Sequence, residues 1–235
     1  MTTISQQLVT AHSRIHAACN ACGRDSASVR LLAVSKTFGA EAVIDAVLAG
    51  QSAFGENYVA EGIEKIATVR CRLGSAAGAL EWHCIGPLQS NKTRLVAEHF
   101  DWVQSVDRLK IAQRLSEQRP PGLPPLQICL QVNIDGGANK SGVAPDAAQA
   151  LAQEVSRLPR LALRGLMAIP EPAPDFVAAC ALHARVKALF YHINASGNLS
   201  SPMDTLSLGM SADLEAAIHA GSTMVRVGTA IFGAR

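Results

Sequence analysis

The sequence has no long apolar run and no segment dominated by one charge. No uninterrupted apolar stretch reaches the roughly 20 residues that a membrane-spanning helix needs, so we expect no membrane association. The first 19 residues lack a basic stretch followed by an apolar core, so we expect no signal peptide. The net charge is only +2, and no basic stripe interleaved with aromatic residues occurs, which argues against a nucleic-acid partner.

The six cysteines are scattered along the chain without the regular spacing of a disulfide scaffold. Together with the missing signal peptide, this distribution favours a reducing compartment and predicts a cytoplasmic protein. Hydrophobic residues make up 49% of the 235 positions, so a large core is available without disulfides.

Short apolar or β-branched runs alternate with longer amphipathic segments along the whole chain. The short runs predict eight strands, at residues 31–35, 52–55, 81–85, 102–106, 126–134, 163–167, 205–208 and 224–227. The amphipathic segments predict helices at about 4–22, 41–48, 59–70, 90–100, 108–118, 146–157, 175–192 and 212–220.

Eight strands that alternate with helices in roughly 230 residues predict a closed (β/α)8 TIM barrel of the α/β class. We expect one domain over residues 1–235, with residues 1–24 forming a leading helix that packs on the barrel. An open, doubly wound sheet is the structural alternative. No Gly-x-Gly-x-x-Gly turn follows the first strand, which disfavours a dinucleotide-binding fold.

Ligands of such barrels bind at the C-terminal ends of the strands, and Lys36 comes directly after the first strand. A lysine that is desolvated at the mouth of an apolar barrel becomes a nucleophile toward carbonyl groups. The alternative is a surface lysine with a solvated ammonium group. Other candidate residues at strand ends, most of them polar or small, are Asn57, Ser207, Met210, Ser211, Gly228 and Thr229.

Two glycine-bearing turns follow the last two predicted strands. Residues 227–233 run from a strand into a short helical turn, where backbone N–H groups and the Thr229 hydroxyl can bind an anion. Residues 207–211 supply the neighbouring loop, and barrels often bind phosphate at these two positions. The alternative is an ordinary glycine turn and a serine N-cap for the helix near Ala212.

Arg226 lies inside an apolar strand, where a buried charge needs a partner. One interpretation is an ion pair with a carboxylate such as Asp213 or Glu215. The other is contact with the ring nitrogen of a cofactor.

A rival site is formed by His12, His16, Cys19 and Cys22, which recur along one side of the first predicted helix. Cysteine and histidine bind zinc, but one straight helix cannot surround an ion tetrahedrally, so packing explains these residues better. We expect no metal. His83 lies in the third strand and is interpreted as a core or rim histidine. The loop at 135–142 matches no nucleotide-binding motif.

Six segments resemble the pyridoxal phosphate homeostasis family, a group of fold-type III proteins that bind pyridoxal 5'-phosphate (PLP) on a barrel like the alanine racemase N-terminal domain. They are Leu-Leu-Ala-Val-Ser-Lys-Thr at 31–37, Phe-Gly-Glu-Asn-Tyr-Val at 54–59, Trp-His-Cys-Ile-Gly-Pro-Leu-Gln-Ser-Asn-Lys at 82–92, Arg-Gly-Leu-Met-Ala-Ile-Pro at 164–170, Leu-Ser-Leu-Gly-Met-Ser-Ala-Asp at 206–213 and Met-Val-Arg-Val-Gly-Thr-Ala-Ile-Phe-Gly at 224–233. The resemblance runs from about residue 5 to the C-terminus.

The resemblance implies a role for each candidate residue. Lys36 matches the lysine that forms a Schiff base with PLP, and Arg226 matches the arginine that faces the pyridine nitrogen. Lys140 matches a lysine implicated in PLP transfer or second-site binding. Some members carry a second lysine near the first, but Phe38 stands there in this chain. The phosphate cradle is matched by Ser211, Gly228 and Thr229, with Ser207 close by and with Asn57 and Met210 along the ring.

The implied function is a PLP carrier and buffer without a dedicated reaction, because an arginine beside the pyridine nitrogen disfavours the protonated ring that catalysis uses. The sequence stops two residues after Gly233, so we expect no second domain to bring a tyrosine base. The predicted partners are PLP and apo-enzymes that receive it, and we expect a monomer. One alternative is a low-activity amino-acid racemase. A second is a Schiff-base aldolase that acts on a phosphorylated carbonyl compound.

Overall fold

The structure is a computed structural model that describes residues 3–137 and 140–233. Eight parallel strands form a closed barrel in chain order, and the last strand pairs with the first. The strands are β1 (Arg30–Val34), β2 (Ala53–Glu56), β3 (Glu81–Cys84), β4 (Trp102–Val106), β5 (Leu126–Gln131), β6 (Leu161–Met167), β7 (Thr205–Ser207) and β8 (Met224–Val227). The predicted TIM barrel is confirmed, and the open-sheet alternative is wrong.

Helices cover the outside of the barrel. They are α1 (Ile4–Ala21), α2 (Ala40–Leu48), α3 (Val59–Leu73), α4 (Thr93–His99), α5 (Leu109–Gln118), α6 (Pro145–Ser156), α7 (Phe176–Ala195), α8 (Leu214–His219) and α9 (Thr229–Phe232). Short 3-10 turns precede β1, β3 and α4. Residues 138 and 139 of the loop after β5 lie outside the described residues. Among the described helices, none is long and apolar enough to cross a bilayer.

The first helix packs on the barrel. Thr3 and Gln6 form a capping box that starts α1, and this box satisfies backbone N–H groups that the first turn leaves without partners. The buried face of α1 consists of Leu8, Ala11, Ile15, Ala18 and Cys19, and it rests against α2, α8 and α9. The helix therefore packs on the outside of the barrel, against helices that follow β1, β7 and β8.

Successive residues of each strand point in turn to the helices outside the barrel and to the barrel interior, because side chains alternate along a strand. Phe54, Trp82 and Val103 join the large hydrophobic core between strands and helices. Their neighbours Gly55, His83 and Gln104 point the other way, into the barrel. The barrel interior therefore holds polar side chains, such as His83 and Gln104, beside apolar ones, such as Leu32 and Met224.

Candidate functional site

A cavity of about 330 Å³ opens at the C-terminal ends of the strands. This volume falls at the lower end of the range for small-molecule and cofactor sites. Seven of the eight predicted site residues contribute to its wall. The lining residues are Val34, Lys36, Phe38, Asn57, Ile85, Ile169, Met210, Ser211, Ala212, Arg226, Gly228, Thr229 and Gly233.

Lys36 lies two residues beyond the last residue of β1, on the wall of the cavity. Its side chain is half-buried, and within residues 3–137 and 140–233 its ammonium group has no hydrogen bond or ion pair. An uncommitted amine at the rim of an apolar barrel fits a carbonyl compound that forms an imine.

The turn after β8 brings backbone close to the cavity. Gly228 directly follows β8 beside Val34, and a Cβ atom at this position would lie 3.1 Å from the Val34 carbonyl oxygen. A larger residue would therefore have to displace the backbone of β1 by a few tenths of an ångström, which glycine avoids. Thr229 begins α9 at the cavity wall, so the residues predicted to bind an anion lie beside Lys36 on the same cavity.

The turn after β7 forms the neighbouring wall. Gly209 has a positive φ of 87°, and a Cβ there would lie 2.5 Å from the Cβ of Ala217, so the turn requires glycine. The Asp213 carboxylate accepts the Met210 backbone N–H at 2.7 Å and holds the turn closed. Asp213 is also the N-cap of α8, so Ser211 does not cap that helix and its side chain is free to line the cavity.

Arg226 is only 4% exposed and points from β8 into the interior of the barrel. Its Nη1 donates to the carbonyl and the hydroxyl of Ser207, and its Nη2 donates to the Ala168 carbonyl at 2.9 Å. A guanidinium has five N–H groups, so two remain for a ligand among the described contacts. Burial lowers the pKa of Arg226 to about 10, which leaves the side chain charged at neutral pH.

The predicted ion pair of Arg226 with Asp213 or Glu215 is wrong. The Asp213 carboxylate lies 2.9 Å from His183 Nε2, and Glu215 pairs with Arg14 at 2.7 Å. Arg226 is instead surrounded by oxygen dipoles. Its charge is therefore not neutralised by a carboxylate contact within the described part of the chain.

Ser207 is the one predicted site residue that does not line the cavity. It lies beneath Arg226, fully buried, and its hydroxyl donates to Gln104 Oε1 at 2.6 Å. Gln104 Nε2 then lies 2.9 Å from His83 Nδ1, and His83 Nε2 lies 3.5 Å from Glu81 Oε2. A polar column thus runs from the cavity floor through the barrel to Glu81, and His83 is a core histidine.

Lys140 lies on the loop after β5 and does not line the cavity. Its ammonium group contacts Asp135 at 2.8 Å, Glu171 at 3.1 Å and the Ile169 carbonyl at 3.1 Å. These contacts join the loop after β5 to the loop after β6, whose residue Ile169 lines the cavity. Phe38 stands on the cavity wall with its ring centroid 5.3 Å from that of Phe232.

The possible zinc ligands on α1 do not converge. His12 and His16 are exposed at the edge of the packed face of the helix, whereas Cys19 is fully buried within that face. Over residues 3–137 and 140–233, no group of three or more histidine, cysteine, aspartate or glutamate side chains could hold an ion. All six cysteines are unpaired.

Sequence reasoning missed several residues of the site. Ile85, Ile169 and Ala212 are among the six other residues of the cavity wall, but ordinary small and apolar residues at strand ends give no distinctive signal. Glu56, a fully buried carboxylate in β2, could have been found by the same argument that singled out Arg226, because a charge inside an apolar strand needs a partner.

The fold and the cavity define a class: a single barrel in which a lysine after β1 and a glycine turn after β8 line one cavity at the C-terminal ends of the strands. The family model of the alanine racemase N-terminal domain matches residues 13–235. The chain is 56% identical to the pyridoxal phosphate homeostasis protein of Pseudomonas aeruginosa, over 100% of this chain and 97% of that protein. Identity to the protein of the same name from Vibrio cholerae is 54%, over 100% of this chain and 98% of that one.

A solved structure supports the same relation. The protein PipY of Synechococcus elongatus, with PLP bound, superposes with a TM-score of 0.84 and 35% identity, over 98% of this chain and 100% of that one. The chain therefore belongs to the family of pyridoxal phosphate homeostasis proteins.

Proposed function

We propose that this protein binds PLP through a Schiff base on Lys36 and acts in PLP homeostasis as a carrier and buffer. The observation that carries the proposal is the uncommitted Lys36 amine in a cavity that also presents the Gly228–Thr229 turn and two free N–H groups of Arg226. The relatives named for PLP homeostasis and the PLP-bound neighbour support the choice of ligand.

Each polar group of the cavity has a counterpart in PLP. The Lys36 amine would bind the aldehyde, and Ser211 with the Gly228–Thr229 turn would bind the phosphate. Arg226 would face the ring nitrogen, while Asn57 and Met210 would flank the ring. Ser207 would act through Arg226, which it contacts, and not through the ligand. When bound, PLP supplies an electrophilic carbon and an aromatic ring that can accept electrons.

The environment of Arg226 supports storage over catalysis. An arginine that remains charged beside the pyridine nitrogen disfavours protonation of the ring, and an unprotonated ring stabilises a carbanion less well. Tyr58 and Tyr191 are 56% and 58% exposed, and neither lines the cavity. Lys36 and Arg226 are the ionisable residues among the described lining residues, so a second acid or base for racemisation is missing from that set.

The proposed role also specifies a compartment, an oligomeric state and recipients of PLP. We place the protein in the cytoplasm, where the six unpaired cysteines fit a reducing environment. It would act as a monomer and hand PLP to apo-enzymes that require it.

Reduction with borohydride followed by peptide mass spectrometry tests the covalent site. The protein should be yellow and should bleach on reduction, with a phosphopyridoxyl adduct on the peptide that contains Lys36. Lys36→Ala should carry no adduct, whereas Lys110→Ala, which removes an exposed lysine, should behave as the parent protein. An adduct that persists in Lys36→Ala would refute the assignment.

Isotope exchange separates storage from the racemase alternative. The carrier proposal predicts no exchange of the α-hydrogen of alanine or serine above the rate with free PLP. Exchange at enzymatic rates would favour the racemase. A colourless purified protein without PLP would instead favour the aldolase.

A further inference from the structure

A buried ion cluster lies behind the strand end that carries Lys36. Lys65 of α3 places its ammonium group 2.6 Å from Glu56 of β2 and 3.0 Å from Glu61, one turn earlier on α3. The side chains of Lys65 and Glu56 are 3% and 0% exposed, and that of Glu61 is 32% exposed. Two carboxylates thus share one ammonium group under the cavity rim.

The cluster holds the backbone on both sides of Lys36. Lys65 Nζ donates to the Ser35 carbonyl oxygen at 2.8 Å, and Glu61 Oε1 accepts the backbone N–H of Thr37. The Ser35 hydroxyl also donates to Glu56 Oε1 at 2.6 Å. The peptide groups before and after Lys36 are therefore fixed by the same three charged side chains.

The backbone at Thr37 is strained. Its φ of +67° lies in the left-handed region, which residues with a branched side chain rarely adopt. Such a conformation persists only where surrounding contacts determine it, and it is typical of functional sites. Here the contact is the hydrogen bond from Thr37 to Glu61, directly after the lysine that lines the cavity.

A purely stabilising role explains this arrangement poorly. A buried ion pair is weak evidence for stability, since desolvation offsets most of the attraction. The Lys65 ammonium group and the Glu61 carboxylate instead bind the backbone of residues 35 and 37, on either side of Lys36, while Glu56 Oε2 has no hydrogen-bond partner among the described residues. A reactive group must be held within a fraction of an ångström by its supporting contacts.

We propose that Glu61 and Lys65 are positioning residues that clamp the peptide groups flanking Lys36, so that its amine enters the cavity at a fixed angle and PLP is retained. This inference rests on the proposed function, because it assumes that Lys36 carries the cofactor. Glu61 does not line the cavity itself. Its effect on PLP is transmitted through the backbone of Thr37.

Three variants at neighbouring positions on α3 test the clamp in the PLP-loaded protein. Glu61→Ala removes the acceptor, Glu61→Gln keeps an acceptor oxygen but removes the charge, and Glu64→Ala removes an exposed acid three residues further along the same helix. The readouts are the rate of PLP release into an excess of an apo-enzyme and the induced circular dichroism of the bound chromophore. The second readout reports the angle at which the ring is held, which stability alone would not change.

Glu61→Ala should release PLP roughly 10-fold faster and lose much of the induced signal, because the hydrogen bond that fixes the Thr37 peptide group is removed. Glu61→Gln should retain most of both properties, and Glu64→Ala should match the parent protein. The clamp is overturned if Glu61→Ala keeps the parent rate and signal. It is also overturned if Glu61→Gln is as impaired as Glu61→Ala, since charge would then matter and not geometry.

Amide hydrogen exchange of the unmutated protein gives a result that does not depend on how any variant folds. The Thr37 amide should be protected, and exchange at the rate of a free loop would contradict the clamp. The proposed function fails separately. If Lys36→Ala still carries covalent PLP, Lys36 is not the attachment site, whatever the behaviour of Glu61.

Discussion

His83 should make the stability of this protein sensitive to mild acid. The imidazole is fully buried in the barrel interior, stacked on Trp102 at a centroid distance of 5.0 Å. Arg226 donates to the Ser207 hydroxyl, which donates to Gln104, and Gln104 Nε2 in turn donates to His83 Nδ1. His83 Nδ1 is therefore an acceptor and must be unprotonated for the column to hold.

The size of the effect follows from the pKa. Burial lowers the pKa of His83 from 6.5 to about 4, although the nearby Glu81 carboxylate opposes the shift. Between these two values the unfolded chain binds a proton that the folded protein does not, so stability falls as the pH falls from 6.5 to 4. The total loss from this one group is about 3 kcal/mol, of which most is lost by pH 4.5.

Urea unfolding of His83→Gln and of the parent protein, at several pH values between 7.5 and 4.5, measures this contribution. The introduced glutamine would still accept from Gln104 but cannot titrate, so the variant should lose about 2 kcal/mol less stability over this range. His12→Gln, which removes an exposed histidine, serves as the control and should follow the parent protein. Parallel stability curves for the parent protein and His83→Gln would refute the reasoning.

Three further substitutions test other parts of the site. Gly228→Ala should weaken PLP retention, because its Cβ would press on the backbone of β1 at 3.1 Å; equilibrium dialysis measures this, and unchanged affinity would contradict the cradle. Ser207→Ala should cost about 1–3 kcal/mol in urea unfolding, since Gln104 Oε1 loses its buried donor, and Arg226 loses an acceptor. Lys65→Met should cost about 3–5 kcal/mol by leaving Glu56 buried and unpaired, and the double variant with Glu56→Gln should recover part of that loss. A double variant no more stable than Lys65→Met alone would show that the carboxylate does not need the ammonium group.

The order of helices and strands could be predicted because apolar residues recur with the period of a helix or of a strand along the sequence. The ends of the elements were less certain. The fifth strand was predicted at 126–134 as the longest, but β5 ends at Gln131, and β6 with seven residues is longer. Val132 and Ile134 are 2% and 4% exposed although they lie beyond the end of β5. Their apolar side chains are therefore explained by burial and do not indicate that the strand continues. Beyond β5, Val132 makes only an isolated bridge with Val143.

Seven of the eight candidate site residues could be brought together from the sequence because a barrel collects its strand ends on one rim. The exception, Ser207, is the last residue of β7 and points into the barrel. The two-residue period of a strand predicts which neighbouring residues share a face. Whether a side chain faces the cavity or the polar column of Ser207, Gln104 and His83 depends on the residue at which the strand ends. That end was predicted one residue too late.

The partners of Arg226 were unpredictable for a different reason. A burial argument requires that the charge be compensated, and in a sequence the visible candidates are carboxylates. The actual partners are two carbonyl oxygens and a hydroxyl, and every residue carries a carbonyl, so no residue type signals them. The distinction matters for function. A carboxylate in contact would neutralise the guanidinium, whereas dipoles orient it and leave its positive charge directed at the cavity. In the proposed function, a positive charge held in this way would face the ring nitrogen of PLP and disfavour its protonation, which suits holding the cofactor better than using it.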